Sequence, residues 1–169
     1  KLAKSFGIET LDENVDYGYP LALGAGEVPL LEMVTAYSVF ANNGTKHEIN
    51  PILEVQNAKG ETLEKFEENQ KGVEVLDPQV AFLISSILSD TSVTNTAKLI
   101  IPGHTVAAKT GTSTKKDENG TIFPSNLLAI GYTPKYVLGV WAGNTDGSKL
   151  AANAESSTGT APIWHYFFQ

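Results

Sequence analysis

Residues 106–113 read Val-Ala-Ala-Lys-Thr-Gly-Thr-Ser, and the rest of the chain is organised around this stretch. Its first residues are apolar or small and predict a buried strand; a cation, a hydroxyl, a glycine and a second hydroxyl follow. Since side chains alternate between the faces of a strand, Lys109 and Gly111 should share one face. A cation beside a missing side chain leaves a notch where an anionic group can lie against the backbone. An ordinary strand end that runs into a turn would also fit these residues.

The composition excludes several classes of protein. The chain has 169 residues, of which 41% are hydrophobic and 18% are charged, as in a globular domain with a sizeable core. A net charge of −7 argues against nucleic acid or an anionic membrane as the main partner. No apolar run approaches the length of a membrane span. The absence of cysteine excludes disulfides, thiolate catalysis and cysteine-ligated zinc.

The first half of the chain predicts two helices and a hairpin. Residues 10–28 are rich in turn-forming residues and predict a loop. Apolar residues at helical spacing predict a helix over 29–42. Alternation of apolar and polar residues in 52–56 and 62–66 predicts a β-hairpin. A solvated charged stretch over 64–71 follows.

A second helix is expected to begin at Asp77, as the N-cap, and Pro78, as the first helical residue. Residues 80–88 are apolar almost all round, so we expect this helix to be deeply buried. Ser85 and Ser86 lie within it without a nearby base, and we interpret both as structural.

The second half of the chain predicts three strands and a last helix, with fold class α+β: an antiparallel sheet covered by helices. Residues 89–103 are polar and are interpreted as a connector along a cleft. The predicted elements are strands over 106–112, 127–132 and 137–142, a charged turn over 115–120, a loop over 143–157, and a helix that starts at Pro162 with Thr160 as its cap. The helical patterns at both ends indicate a piece of a larger protein.

In this order the segments resemble the transpeptidase domain of penicillin-binding proteins, most closely the bifunctional class A kind. The resemblance covers nearly the whole chain and implies the fold shared by these transpeptidases and the serine β-lactamases, here incomplete. The segments that carry it are 21–24, 28–33, 36–37 and 40–44 for a helical region, 107–112 for the Lys-Thr-Gly strand, 130–134 and 139–143 for the next two strands, and 161–164 for the last helix.

The family has three active-site motifs, and only Lys-Thr-Gly is recognisable here. Ser113 and Lys116 fit Ser-x-x-Lys literally, but we expect them in a polar turn, whereas that motif opens a buried helix; we interpret the match as coincidence. Residues 92–95 miss Ser-x-Asn by one position. We therefore expect both missing motifs upstream of Lys1, with residues 1–169 forming the C-terminal part of the domain. Ala108 stands where the family usually has Gly, a small change.

The resemblance implies a D,D-transpeptidase that cross-links peptidoglycan stem peptides through a serine acyl-enzyme and is acylated by β-lactams. It makes Lys109 and Thr110 the catalytic candidates: Lys109 supplies positive potential near the serine, and Thr110, alone or with Thr112, binds the donor carboxylate. Gly111 leaves room for the peptide, and the Thr112 N–H forms half of the oxyanion hole. The fragment alone should be inactive.

The same resemblance implies no cofactor and no metal. The partners it implies are the missing N-terminal half of the domain, stem peptides and β-lactams, but no nucleic acid. The parent protein would be anchored upstream and act on the extracytoplasmic face of a bacterial cell membrane.

Three alternatives stay open at this point: a catalytically inactive sensor or binding domain on the same fold, a serine β-lactamase, and a structural domain without chemistry. Residues 21–44 resemble transpeptidases and disfavour the β-lactamase. The upstream serine motif would exclude the inactive domain. His47, His104 and His165 lack metal-ligand spacing, and the acidic residues between 12 and 16 fit no calcium loop.

Overall fold

The computed structural model describes residues 1–66, 71–94 and 96–169. The elements, in chain order, are α1 (Leu2–Ser5), a 3₁₀ turn (Tyr19–Leu23), α2 (Leu30–Ala41), β1 (Thr45–Lys46), β2 (Glu54–Gln56), β3 (Thr62–Lys65), β4 (Val73–Glu74), α3 (Pro78–Ser89), a second 3₁₀ turn (Ala97–Leu99), β5 (Ala107–Lys116), β6 (Ile122–Tyr132), β7 (Val137–Gly143) and α4 (Ala161–Phe168).

The main sheet is the predicted antiparallel meander, in the order β5-β6-β7. Lys109 lies opposite Ile130, and Gly111 lies opposite Leu128. The charged turn predicted over 115–120 is wrong in its start, because β5 continues through a register shift after Ser113 and ends at Lys116. Pairing with β6 supplies hydrogen bonds to the β5 backbone in this part of the strand, so the polar side chains did not end it.

One face of the sheet is covered by α4. Trp164 is fully buried, and its Nε1–H donates to the Leu138 carbonyl oxygen at 3.2 Å. The sheet beneath the indole carries a glycine: a Cβ on Gly131 would lie 2.7 Å from Trp164 Cζ2. The helix begins at Ala161, one residue before the predicted start, and the Thr160 side chain makes no capping hydrogen bond.

The other face of the sheet is covered by α2, where Val39 is fully buried. This face also has a glycine beneath its helix: a Cβ on Gly139 would lie 2.8 Å from both Leu30 and Val34. Tyr132 packs against aromatic side chains of α2, and burial raises the pKa of its hydroxyl.

The prediction that α3 is deeply buried is wrong. Ala81 is fully buried, but Phe82, Leu83 and Ile87 are 66%, 59% and 64% exposed. The helix packs against β5 and α2 on one side only, and the described residues place nothing over its other apolar side. Its predicted start is confirmed, since the Asp77 carboxylate accepts a hydrogen bond from the Gln79 N–H at 2.7 Å.

Two short antiparallel pairs complete the fold. The predicted hairpin is confirmed as β2 paired with β3, with a register shift between Val55 and Gln56. The pairing of β1 with β4 was not predicted, because two-residue strands carry no periodic signal. The charged stretch predicted over 64–71 lies partly outside the described residues. No helix in the described part of the chain is long and apolar enough to cross a membrane.

Candidate active site on an edge strand

The candidate residues lie in the middle of β5, which is an edge strand: among the described residues it pairs with β6 alone. The strand is buried at its start, where Ala107 and Ala108 are 4% and 7% exposed, and Lys109, Gly111 and Thr112 are exposed. Two surface hollows, lined by residues from 15–21 and from 50–66, lie away from this strand. The candidate site is therefore an open strand edge.

The Lys109 side chain folds back along the edge, where its Nζ donates to the Thr110 carbonyl oxygen at 2.8 Å. That contact holds the ammonium group beside the backbone of the following residues. The described residues leave the space above Gly111 open, since an added Cβ would meet only the Leu128 Cβ among them, at 3.8 Å. The notch predicted from the alternation of Lys109 and Gly111 is thus present as a cation next to an uncovered glycine.

The backbone of β5 presents alternate residues to its free edge. The Ser156 Oγ lies 2.5 Å from the Gly111 carbonyl oxygen and 3.3 Å from the Leu128 nitrogen, so these two groups face each other between β5 and β6. Adjacent residues of an antiparallel strand direct their N–H and C=O groups to opposite sides. The N–H and C=O groups of Thr110 and Thr112 therefore point toward the free edge.

The two threonine hydroxyls have different environments. Thr112 Oγ1 lies 2.8 Å from Ser156 Oγ and accepts a hydrogen bond from the Ser156 N–H at 3.3 Å. No group in residues 1–66, 71–94 or 96–169 pairs with the Thr110 hydroxyl. Of the two, Thr110 therefore has its hydroxyl free for a ligand.

Ser156 was missed by sequence reasoning, which assigned residues 143–157 to a loop without a role. It is 2% exposed and lies against Gly111 and Thr112. The available signal was a run of small and hydroxylated residues, Ser-Ser-Thr-Gly-Thr, directly before the last helix. Such a run is common in loops, so it identified no partner.

Three other sequence candidates form hydrogen bonds to groups outside this site. Ser113 lies within β5 itself, so the expectation that it falls in a turn after the strand is wrong; its Oγ accepts from Asn126 Nδ2 at 2.9 Å. Ser85 bonds the Ala81 carbonyl oxygen and the Tyr132 hydroxyl. His165 Nδ1 lies 3.0 Å from the Lys98 carbonyl oxygen. In the part of the chain that is described, no group of three or more potential ligands could hold a metal ion.

Comparison with known proteins identifies the family. The family described as "Penicillin binding protein transpeptidase domain" matches residues 5–164. The chain is 32% identical over its full length to penicillin-binding protein 2D of Bacillus subtilis, and 33% identical over 95% of its length to penicillin-binding protein 2a of Streptococcus pneumoniae. It spans 23% and 22% of those two proteins.

Solved structures share the fold. The penicillin-binding protein PonA1 of Mycobacterium tuberculosis matches with a TM-score of 0.82 at 21% identity, over 98% of this chain and 47% of that one. A ceftriaxone acyl-enzyme complex of penicillin-binding protein A from M. tuberculosis matches with a TM-score of 0.71 at 17% identity, over 99% and 41%. The predicted α+β fold is confirmed. The chain belongs to the penicillin-binding protein transpeptidase family.

Proposed function

We propose that this chain forms one wall of the active site of a serine D,D-transpeptidase that cross-links peptidoglycan stem peptides. The observation that carries the proposal is the edge of β5 that no described strand pairs with. Lys109 and Gly111 are exposed there, Thr110 between them is half-buried, and the Thr112 N–H points outward. An extended peptide can add to such an edge as a further strand. The donor stem, which ends in D-Ala-D-Ala, is the peptide we assign to it.

We assign a role in substrate binding or catalysis to each residue of this edge. The Thr110 hydroxyl donates to the terminal carboxylate of the donor, because its oxygen has no described partner in the protein. Gly111 leaves the face above the strand open for the peptide. Lys109 supplies positive potential beside the carboxylate and the reacting serine, and orients protons there. Favourable charge near a developing anion is worth most where water is excluded.

The reaction is acyl transfer in two steps. A serine of the Ser-x-x-Lys motif, expected upstream of Lys1, attacks the carbonyl carbon of the penultimate D-Ala. The serine proton passes to the nitrogen of the leaving terminal D-Ala, and an ester forms. An amine of a second stem then attacks the ester, forms the cross-linking amide and returns the proton to the serine oxygen. The Thr112 N–H and the serine N–H would hold the oxyanion of each tetrahedral intermediate.

The exposed side of α3 supports a partner for this chain. Val80, Phe82, Leu83 and Ile87 leave an apolar surface on a helix that packs against β5. Burying such side chains is worth about 1.5–3 kcal/mol each. The occupant we assign is the serine-bearing N-terminal half of the same domain, because it must approach β5 for the serine to reach the Thr112 N–H.

β-Lactams and the location of the protein follow from the same proposal. A β-lactam carries a carboxylate and a strained amide in place of the D-Ala-D-Ala terminus, so it would occupy the β5 edge and acylate the serine. The substrate is cell-wall peptide, which places the parent protein on the outer face of the bacterial cytoplasmic membrane.

The test is acylation of the complete protein, including its Ser-x-x-Lys portion, by a fluorescent penicillin. Lys109→Ala should lower the acylation rate by about 100-fold or more, because it removes charge stabilisation at the reacting centre. Lys116→Ala removes an exposed cation from the same strand and is the matched control. Unchanged acylation in Lys109→Ala, with the wild type active, would remove Lys109 from the mechanism.

A second arm uses residues 1–169 alone. This chain should not become covalently labelled by penicillin, because Ser113, its one literal match to Ser-x-x-Lys, lies on a strand. Stoichiometric labelling of the isolated chain, measured by intact mass, would contradict the proposal that the nucleophile lies upstream.

A further inference from the structure

Ser156 makes contacts that bear on the proposed oxyanion hole. Its hydroxyl has one proton and two acceptor positions. The Gly111 carbonyl oxygen, 2.5 Å away, can only accept, so the Ser156 hydroxyl donates to it. Ser156 Oγ then accepts from the Thr112 hydroxyl at 2.8 Å and from the Leu128 N–H at 3.3 Å. This single buried hydroxyl uses its full bonding capacity on the candidate strand and its neighbour.

Ser156 is itself held in place by α4. Its carbonyl oxygen accepts from the Ala161 N–H at 2.8 Å and from both the N–H and the hydroxyl of Thr160 at 3.2 Å. Ala161 and Thr160 are fully buried. A Cβ on Gly159 would lie 2.7 Å from Leu127 Cδ1, so the glycine allows this loop to approach the sheet. The hydroxyl is therefore fixed relative to the sheet core rather than carried by a loose loop.

The bond to Gly111 acts on the peptide unit that carries the Thr112 N–H. In a trans peptide the C=O and the N–H point in opposite directions. Here the C=O points toward β6 and Ser156, while the N–H points toward the free edge. A hydrogen bond to the carbonyl oxygen polarises the amide and strengthens its N–H as a donor, an effect of about 10–30% per bond. It also fixes the plane of the peptide, and so the direction of the N–H.

We propose that Ser156 is a positioning residue that aims and polarises the Thr112 N–H, the oxyanion-hole donor on β5. This inference rests on the proposed function, since it assigns a task to a residue of the same site. Ser156 touches neither the substrate nor the reacting serine. Its effect passes through the Gly111–Thr112 peptide and should be greatest when negative charge develops on the carbonyl oxygen being attacked.

The experiment is Ser156→Ala in the complete protein, with acylation by benzylpenicillin followed by stopped flow. The acylation rate constant should fall by about tenfold, less than the roughly 100-fold that loss of a whole donor costs. The dissociation constant of the initial non-covalent complex should change little. Ser157→Ala is the matched control, because among the described residues the Ser157 hydroxyl bonds the Glu155 carboxylate alone, at 3.1 Å.

A spectroscopic measurement separates positioning from packing. The infrared ester carbonyl band of the acyl-enzyme should move to higher wavenumber in Ser156→Ala, because a weaker N–H donor polarises that carbonyl less. A residue needed for packing alone would lower the melting temperature and leave the band in place. If Ser156→Ala does not fold, Ser156→Cys carries the test, since a thiol has similar shape and is a weaker donor.

The outcomes distinguish the two proposals. A wild-type protein that is not acylated overturns the proposed function. An acylated wild type whose Ser156 variants keep the wild-type acylation rate and carbonyl band overturns the role of Ser156 alone. A slower acylation with a shifted band supports both.

Discussion

The two helices α3 and α4 lie against opposite faces of one sheet and are buried to very different extents. On α4, Trp164 is fully buried and hydrogen-bonded, whereas on α3 Phe82 is 66% exposed. Both helices have the apolar character that predicts burial. The difference shows that an apolar pattern predicts which helix side is stabilised by burial. Whether that side is buried depends on which other part of the protein packs against the helix.

The largest effect is expected at Trp164. Trp164→Ala removes a fully buried indole and its hydrogen bond, and should lower the free energy of unfolding by about 3–5 kcal/mol in chemical denaturation of the complete protein. Tyr166→Ala, on the same helix with 81% of the residue exposed, is the matched control and should cost under about 0.5 kcal/mol. Equal losses in both variants would refute the view that α4 is anchored through its indole.

A smaller loss of stability is expected when a side chain is added in the space between α4 and the sheet. Gly131→Ala places a Cβ 2.6 Å from the Ala107 carbonyl oxygen and 2.7 Å from the Trp164 ring, and should cost about 1–3 kcal/mol of unfolding free energy. Gly111→Ala lies in the same sheet at a position that the described residues leave uncovered, where the added Cβ meets Leu128 Cβ at 3.8 Å, and it should leave the melting temperature nearly unchanged. If both alanines are tolerated equally, the two positions do not differ in packing.

The attachment of α3 is tested at two adjacent serines. Ser85→Ala removes the acceptor for the Tyr132 hydroxyl, which is 2.8 Å away on a residue only 4% exposed, and should cost about 1–2 kcal/mol. Ser86→Ala, at the exposed neighbouring position, should change stability by less than about 0.5 kcal/mol. Differential scanning fluorimetry of the two variants measures the difference. The reverse order of losses would contradict the observed hydrogen bond as the tie between α3 and β6.

The smallest effect is expected on the uncovered side of α3. In residues 1–169 alone, Phe82→Ala should change the unfolding free energy by less than about 0.5 kcal/mol, because the side chain is mostly exposed and its removal loses little burial. In the complete protein the same change should cost above about 2 kcal/mol, if the serine-bearing half covers this helix as proposed. A negligible cost in both proteins would contradict the proposal that the serine-bearing half covers α3.

Local patterns were sufficient for most elements. The Asn-Ala-Lys-Gly turn between alternating residues predicted the β2–β3 hairpin, and Asp77 with Pro78 predicted the start of α3. These signals act within a few residues, where backbone conformation and capping decide the outcome. Strand ends were less predictable. β5 extends to Lys116 because β6 pairs with its backbone N–H and C=O groups, and the residue types of Lys115 and Lys116 do not predict that pairing.

The candidate site also contains residues that local sequence could identify and one that it could not. Lys109, Thr110, Gly111 and Thr112 could be selected from sequence because they are consecutive and their residue types suit an anion beside a strand. Ser156 could not, since it lies 44 positions after Thr112 in the chain. Only the approach of the loop before α4 to the sheet, permitted by Gly159, brings its hydroxyl to the Gly111 carbonyl.

The sequence by itself determined the antiparallel meander, the start of α3 and the family, because each depends on residue order or on local backbone preferences. Tertiary structure alone decided three properties of the described residues: that one edge of β5 is unpaired, that the Thr112 hydroxyl is engaged while the Thr110 hydroxyl has no partner among them, and that they cover α3 on one side only. These properties depend on which surfaces pack together. That packing joins residues far apart in the chain, so local sequence patterns do not predict it.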